Sequence, residues 1–334
     1  MQEEKTAAGR GPVLGRRKLL AVAAALAPAM AVRAQEGAGQ YPSKPIRIIS
    51  PFAAGGSVDV LARVLGQKLT EAWGQPVVVE ARPGANTAIG TEAAARARPD
   101  GYTLIIVVSN HATNPVLQPK LPYDTLKDFT PVSLLARTPI VAYGSPRFPV
   151  ANLRELVAYA KAHPDGISFG SAGTGSVTHL TGEMLNARAG LDMTHVVYRG
   201  GTPALNDVMA GHIQMTFATV GQALPQYRAG QVRALGVSSA TRYASIPEVP
   251  TFREQGIDVV TTEWFGLMAP AGTPPDIVDK LNAQVRRILA MPDLGDRLTA
   301  IELVGSSPAE LDRLIRDEMA RWQPFIRERG IKAT

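Results

Sequence analysis

Two segments of the chain combine the residue types that bind an anion without a charged side chain. The first runs Ser50-Pro51-Phe52-Ala53-Ala54-Gly55-Gly56-Ser57-Val58-Asp59. The second runs Phe169-Gly170-Ser171-Ala172-Gly173-Thr174-Gly175-Ser176-Val177-Thr178-His179. Each follows a strand-like run, is rich in glycine and enters a helical pattern at a Gly-Ser-Val step. A helix N-terminus offers backbone N–H groups without partners inside the helix, together with the positive end of its dipole. Such an end receives phosphate, sulfate or carboxylate, and a glycine before it lets the ligand approach the backbone because no Cβ intervenes. One such loop in each of two halves, facing across a cleft, suits an organic acid, and the pair suits a dicarboxylate. A nucleotide fits poorly, since no G-x-x-x-x-G-K-[ST] is present and neither loop reads G-x-G-x-x-G.

The first loop makes Phe52, Ala53, Ala54, Gly55, Gly56 and Ser57 candidate ligand residues, and the second adds Ser171, Gly173, Thr174, Gly175 and Ser176. Asp59 stands in the first helical turn, where a carboxylate complements the dipole, so its expected role is structural before it is ligand contact. His179 opens the second helix, and ligand contact or a structural hydrogen bond both suit it. His195 lies within a strand pattern and reads as packed. Arg199 either neutralises a ligand carboxylate or braces the turn at Tyr198, and Trp264 reads as core or as cleft wall. The five histidines show no metal-ligand spacing, so no metal or cofactor is expected. Ser171 or Ser176 beside His179 suggests a nucleophile, but there is no G-x-S-x-G elbow and no base-and-orienter order. The expected protein binds its ligand and is not an enzyme.

The elements that must hold these loops alternate in type. Ile46–Ile49, Val77–Val79 and Thr103–Val108 read as strands. Val58, Leu61, Ala62, Leu65, Leu69 and Ala72 recur at helical spacing, and residues 87–98 form an Ala-rich helix. Strand-helix alternation implies a parallel sheet covered by helices. The scheme repeats in the middle, with strands near 167–169, 194–197, 215–217 and 234–237. Helices there span 152–162, 177–189 and 203–210, with Thr202 before Pro203 expected as an N-cap. Helices close the chain, one over 274–290 and one striped by Leu311, Leu314, Ile315, Met319, Trp322 and Ile326, a pattern of core packing. The apolar runs 139–143 and 265–269 read as crossovers between lobes. The expected lobes are residues 35–138 plus 263–334 and residues 139–262, with the ligand cleft between them.

The 334 residues allow about two domains of roughly 150 residues each. There is no cysteine, so disulfides, thiolate chemistry and a lipid anchor on cysteine are all excluded. Arg16-Arg17-Lys18 before the apolar run Leu19–Val32, then small residues at Val32 and Ala34, read as an export signal over residues 1–34. The run is too short for a membrane span of about 20 residues. The paired arginines suit a twin-arginine signal and an ordinary secretion signal alike. That segment holds six basic and two acidic residues, so removing it lowers the formal net charge from +6 to +2. No basic stripe of the kind that binds nucleic acid remains.

Several stretches together resemble the tripartite tricarboxylate transporter substrate-binding proteins, the Bug or TctC family. They are Tyr41-Pro42-Ser43-Lys44-Pro45-Ile46-Arg47, residues 51–59, Ala81-Arg82-Pro83-Gly84-Ala85, Pro99-Asp100-Gly101-Tyr102-Thr103-Leu104, residues 195–201 and Trp264-Phe265-Gly266-Leu267-Met268-Ala269-Pro270-Ala271-Gly272-Thr273-Pro274. They span essentially the whole chain after the signal, in the family's order. The resemblance implies an α/β fold of two lobes, the Venus-flytrap arrangement of type II periplasmic binding proteins. It implies a monomer in the periplasm that hands a small carboxylate to two integral membrane subunits. It also implies that residues 52–59 and 171–176 hold the ligand, partly through water, and that Ser109-Asn110-His111 form a third cleft loop. Members often carry Phe-Asp where this chain has Phe217-Ala218. An aspartate lost from the cleft at Ala218 would favour a plain acid over an amino acid. The same fold feeding a membrane receptor would instead be a sensor.

Overall fold

The computed structural model describes residues 39–332 apart from 165 and 299. The export signal expected over residues 1–34 lies outside the described residues. In chain order the elements begin β1 (Ile46–Ser50), α1 (Ser57–Trp73), β2 (Val77–Ala81), α2 (Ala88–Ala95), β3 (Thr103–Val108), α3 (Asn110–Leu117) and β4 (Phe129–Gly144). They continue α4 (Leu153–Ala162), β5 (Ser168–Ser171), α5 (Val177–Ala189), β6 (Thr194–Val197), α6 (Gly201–Ala210), β7 (Met215–Thr219), α7 (Val220–Arg228) and β8 (Arg233–Val237). The last are β9 (Thr262–Pro270), α8 (Pro275–Leu289), α9 (Pro292–Arg297), β10 (Glu302–Leu303) and α10 (Pro308–Glu328). Local chemistry sets several ends. The Asn152 side chain accepts the Glu155 N–H to start α4, and Ser307 with Glu310 forms a capping box on α10. At α6 the cap is Gly200, at φ 114°, not the expected Thr202, which falls inside the first turn. Only glycine tolerates that φ easily.

Hydrogen-bonded strands follow the order β2-β1-β3-β9-β4-β7-β5-β6, with β8 and β10 also on β4. The outer triplets are parallel: β2, β1 and β3 at one end, β6, β5 and β7 at the other. Each half keeps its parallel triplet, and the sheet as a whole is mixed, because the crossing strands pair antiparallel with their neighbours. Strand β4 begins at Phe129, well before the expected Pro139. It pairs with β9 as far as Pro139↔Thr262, then with β7 from Ile140↔Thr219. Pro131 is tolerated beside a register shift between Pro131 and Ser133.

The inner strands β1, β3, β5 and β7 are packed on both faces, as parallel strands usually are. Alternation sorts the side chains. Ile46, Ile48, Leu104 and Ile106 face one apolar cluster with Leu61 and Leu65 of α1 and Leu281 of α8. Ile49, Ile105 and Val107 face the opposite cluster with Leu311 and Ile315 of α10. In the other half, Ile140, Phe169 and Phe217 meet Leu153, Leu156 and Leu185, while Val141, Tyr143 and Ala218 meet Leu205, Val208 and Leu224. The C-terminal helix belongs to both halves. Its Trp322 and Ile326 pack with Leu117 and Leu180, and Arg329 pairs with Glu183 of α5 at 3.0 Å.

Strand direction fixes where the site lies. β1, β3 and β4 run the same way, whereas β5, β6 and β7 run against β4. The carboxyl ends of the two triplets therefore face each other across the middle of β4. In register, Val108 of β3 aligns through Phe265 with Ala136, and Thr219 of β7 aligns with Ile140. Those four residues of β4 correspond to about 13 Å at about 3.3 Å per residue. Ser238 pins the crossing: its Oγ accepts the Ile140 N–H at 3.0 Å and donates to the Thr261 carbonyl at 2.7 Å.

Candidate functional site

Every candidate loop leaves the carboxyl end of a strand on one of these facing edges. The first loop, between β1 and α1, is open. Ala53, Ala54, Gly55, Gly56 and Ser57 are exposed and Phe52 is half-buried. The N-cap Gly56 adopts φ −82° and ψ 172°, and no side chain caps the helix. Asp59 points the other way. It is 3 % exposed, accepts the Gly55 N–H at 3.0 Å and pairs with Arg63 at 2.8 Å. The Arg63 hydrogen bond holds its carboxyl below the usual range. Asp59 thus stiffens the loop from beneath, the structural role expected of it.

The second loop, between β5 and α5, holds most of its own donors. The Ala172 N–H donates to Thr178 Oγ1 at 3.0 Å, the Gly173 N–H to Ser171 Oγ at 3.2 Å, and the Gly175 N–H to His179 Nδ1 at 3.0 Å. Ser176 caps α5 by accepting the His179 N–H at 3.3 Å. Ala172, Gly173, Thr174 and Ser176 are half-buried, while Gly175 is buried against Leu117. The two anion loops are therefore unequal: the first leaves its helix end uncapped, and the second is braced by Ser176, Thr178 and His179.

His179 and His195 pack against each other. His179 is 4 % exposed and stacks on His195 with ring centroids 3.6 Å apart. Burial, then the neighbouring His195, pushes the His179 pKa down to about 3, and burial takes His195 to about 4. Both are neutral at pH 7, so neither supplies positive charge to a ligand. Ser171 is fully buried and shares a 2.6 Å hydrogen bond with His195 Nε2. This pair fixes the start of the loop and is not exposed as a nucleophile would need to be.

The third loop divides. Ser109 follows β3 and precedes α3, and Asn110 donates from Nδ2 to Asn86 Oδ1 at 3.1 Å. Asn86 lies in a run of three left-handed residues, Ala85, Asn86 and Thr87 at φ 47°, 49° and 74°. Asn114 Nδ2 holds the Asn86 carbonyl at 2.8 Å, and Asn86 Nδ2 donates back to Asn114 Oδ1 at 2.7 Å. Such backbone costs on the order of 1–3 kcal/mol per residue and needs this kind of support. His111, in contrast, leaves the candidate set. It is 1 % exposed and packs on Tyr123 and Phe129, and burial lowers its pKa to about 4.

Ala218 also leaves the set. It is fully buried beside Val141 in the core cluster of the second half, so an aspartate there would not face the cleft. Trp264 is core as well, 2 % exposed among Ile105, Met268 and Leu311. Arg199 is exposed at the end of β6 and forms no ion pair among the described residues. It does not brace the turn, because Tyr198 is held by Asp207 Oδ2 at 2.6 Å. Sequence reasoning missed Thr178 and Thr113, and above all Glu263. The Glu263 carboxylate accepts the Ser109 N–H at 3.0 Å and the Ser109 hydroxyl at 2.5 Å, and burial pushes its pKa up to about 7. Thr113 Oγ1 donates to the Gly175 carbonyl at 3.1 Å, tying α3 to the second loop.

Two parallel strand triplets joined by crossing strands, with helix N-termini on facing strand ends, define a periplasmic binding protein fold. The chain belongs to the tripartite tricarboxylate transporter receptor family, which matches residues 61–331. The periplasmic binding protein BugD is 32 % identical, covers 88 % of this chain and 100 % of its own, and superposes with a TM-score of 0.80. An R. palustris protein solved with adipate is 33 % identical over 88 % of this chain and 100 % of that one, at a TM-score of 0.83. MatC from Rhodopseudomonas palustris, solved with bound malate, is 35 % identical over 85 % and 99 %, at 0.77. These relatives are binding proteins of the periplasm or are named with a bound carboxylate. No helix among the described residues is long and apolar enough to cross a membrane.

Proposed function

We propose that this protein captures a short dicarboxylic acid between its two halves in the periplasm and delivers it to the membrane subunits of a tripartite transporter. The observation that carries the reading is the open, uncapped start of α1 on an edge that faces the braced start of α5. The roughly 13 Å between edges, less about 3 Å for a hydrogen bond at each end, leaves about 7 Å for the ligand. That is the scale of a short dicarboxylate, the class named with two relatives. Phe52 to Ser57 form the primary anion site in this reading. Thr174 and Ser176 meet the far carboxylate, and the exposed Arg199 adds charge beside them. The ligand leaves unchanged, since the buried Ser171 and the neutral histidines offer no accessible nucleophile or base.

In the same reading residues 35–138 plus 263–334 form one lobe and 139–262 the other, hinged near 138–140 and 261–263, with α10 spanning the back. A thermal-shift screen against organic acids tests the proposal. A bound acid at 100 times its dissociation constant adds about 2.7 kcal/mol of stability. The acid that raises Tm should also reduce the radius of gyration in small-angle scattering. A library of di- and tricarboxylates that leaves Tm unmoved would contradict it.

A further inference from the structure

Glu263 stands at a place no anion-binding loop predicts. It is the second residue of β9, directly after the chain returns from the second half. In the antiparallel register Val108 pairs with Phe265, so Glu263 lies beyond the carboxyl end of β3. That puts its carboxylate on the same edge as the open start of α1, since β1 and β3 are adjacent and parallel. One carboxylate oxygen, Oε1, takes both Ser109 donors, the backbone N–H at 3.0 Å and the hydroxyl at 2.5 Å. Ser109 precedes α3, whose next turn reaches the second ligand loop through Thr113 and the Gly175 carbonyl at 3.1 Å. The start of α3 therefore reaches from the edge of the first loop to the second, with both donors of Ser109 already satisfied by the protein's own carboxylate.

We propose that Glu263 is a specificity-determining residue: by occupying both donors of Ser109 it denies a third ligand carboxylate a place between the two anion loops, so the cleft prefers dicarboxylates to tricarboxylates. This rests on the carboxylate-binding reading above. The mechanism is occupancy. A ligand oxygen seeking Ser109 would have to displace an internal acceptor held by two hydrogen bonds and would meet the half-buried Glu263 carboxyl group in doing so. The second carboxyl nearby, Glu318 of α10, is taken by the Trp322 Nε1 donor at 2.7 Å and offers the third carboxylate nothing.

The test is calorimetric titration of glutarate and propane-1,2,3-tricarboxylate into the wild type, Glu263→Ala and Glu263→Gln. Alanine frees Ser109 and should raise tricarboxylate affinity relative to glutarate at least tenfold. Glutamine keeps an oxygen that accepts both Ser109 donors and should keep the wild-type ratio. Adding Ser109→Ala to Glu263→Ala removes one freed donor and should reverse much of the gain. Glu263→Ser carries the same expectation as alanine should alanine fail to fold. An unchanged ratio in the alanine or serine variant, with glutarate still bound, overturns this inference alone. A ratio that rises as much in glutamine as in alanine overturns occupancy too. A wild type that binds neither acid overturns the functional reading and this inference with it.

Discussion

At the scale of single residues, Gly56 and Gly175 occupy matching places in the sequence and opposite ones in the structure. A Cβ on Gly56 would meet nothing closer than the Ala53 carbonyl at 3.8 Å, and the backbone there is ordinary extended N-cap geometry. A Cβ on Gly175, at φ 73°, would lie 2.0 Å from Leu117 Cδ1. Gly56→Asp therefore leaves stability within about 1 kcal/mol, since aspartate is a good N-cap. It also supplies an internal anion where the ligand carboxylate belongs, so affinity should fall at least about tenfold, or about 1.4 kcal/mol. Gly175→Ala combines backbone strain with overpacking and should cost about 2–4 kcal/mol of stability. Denaturant melts with acid titrations check both. A Gly56→Asp protein that binds acid as tightly as wild type would remove the first loop from the site. The residue types in the two loops were legible from spacing alone. Their inequality was not, because it depends on Leu117 and His179 arriving from α3 and α5 against the same glycine.

At the scale of elements, several strands and helices appeared where the sequence placed them, as in β3 over Thr103–Val108 and α5 over Val177–Ala189. The first part of β4 and the whole of α3 escaped. Pro131 and the irregular register hide the strand, while Pro115 and the polar Asn110, Thr113 and Asn114 hide the helix. The stack of His179 from α5 on His195 from β6 was equally hidden, since it depends on how the helix packs back on the next strand and no residue spacing shows that. It has a pH consequence. His111, His179 and His195 have folded pKa values of about 4, 3 and 4, below the unfolded value of about 6.5. The unfolded chain therefore binds more protons between about pH 6.5 and 4, and stability falls as pH drops through that window, by up to about 1.4 kcal/mol per unit for each group. Glu263, raised to about 7 from 4.5, has the opposite sign between those values but is one group against three. Urea melts at pH 7.5 and 5.5 should show a loss of stability on acidification. His195→Asn should lessen that loss by on the order of 1 kcal/mol, allowing for partial exposure. An identical pH dependence in the two proteins would show that the stack does not carry the effect.

At the scale of the whole molecule, reversal of strand direction at β4 turns the strand ends of two ordinary α/β units towards each other. Strands ending at Ser50 and Val108 in one half and at Ser171, Val197 and Thr219 in the other point their helix starts at a common gap. In the proposed function neither half alone carries both glycine-rich loops, and each binds a charge that the other half helps to enclose. Exclusion of water between the halves lowers the local dielectric and strengthens both contacts. The central claim is that backbone donors on facing helix starts recognise two ionised carboxylates. Calorimetric titration of the purified protein with the acid found by the thermal screen, alongside its monoamide and diamide, tests this most directly. The account predicts that each amidation costs about 1.5–3 kcal/mol, the range for hydrogen bonds to charged groups. Equal affinity for the acid and its diamide would contradict it.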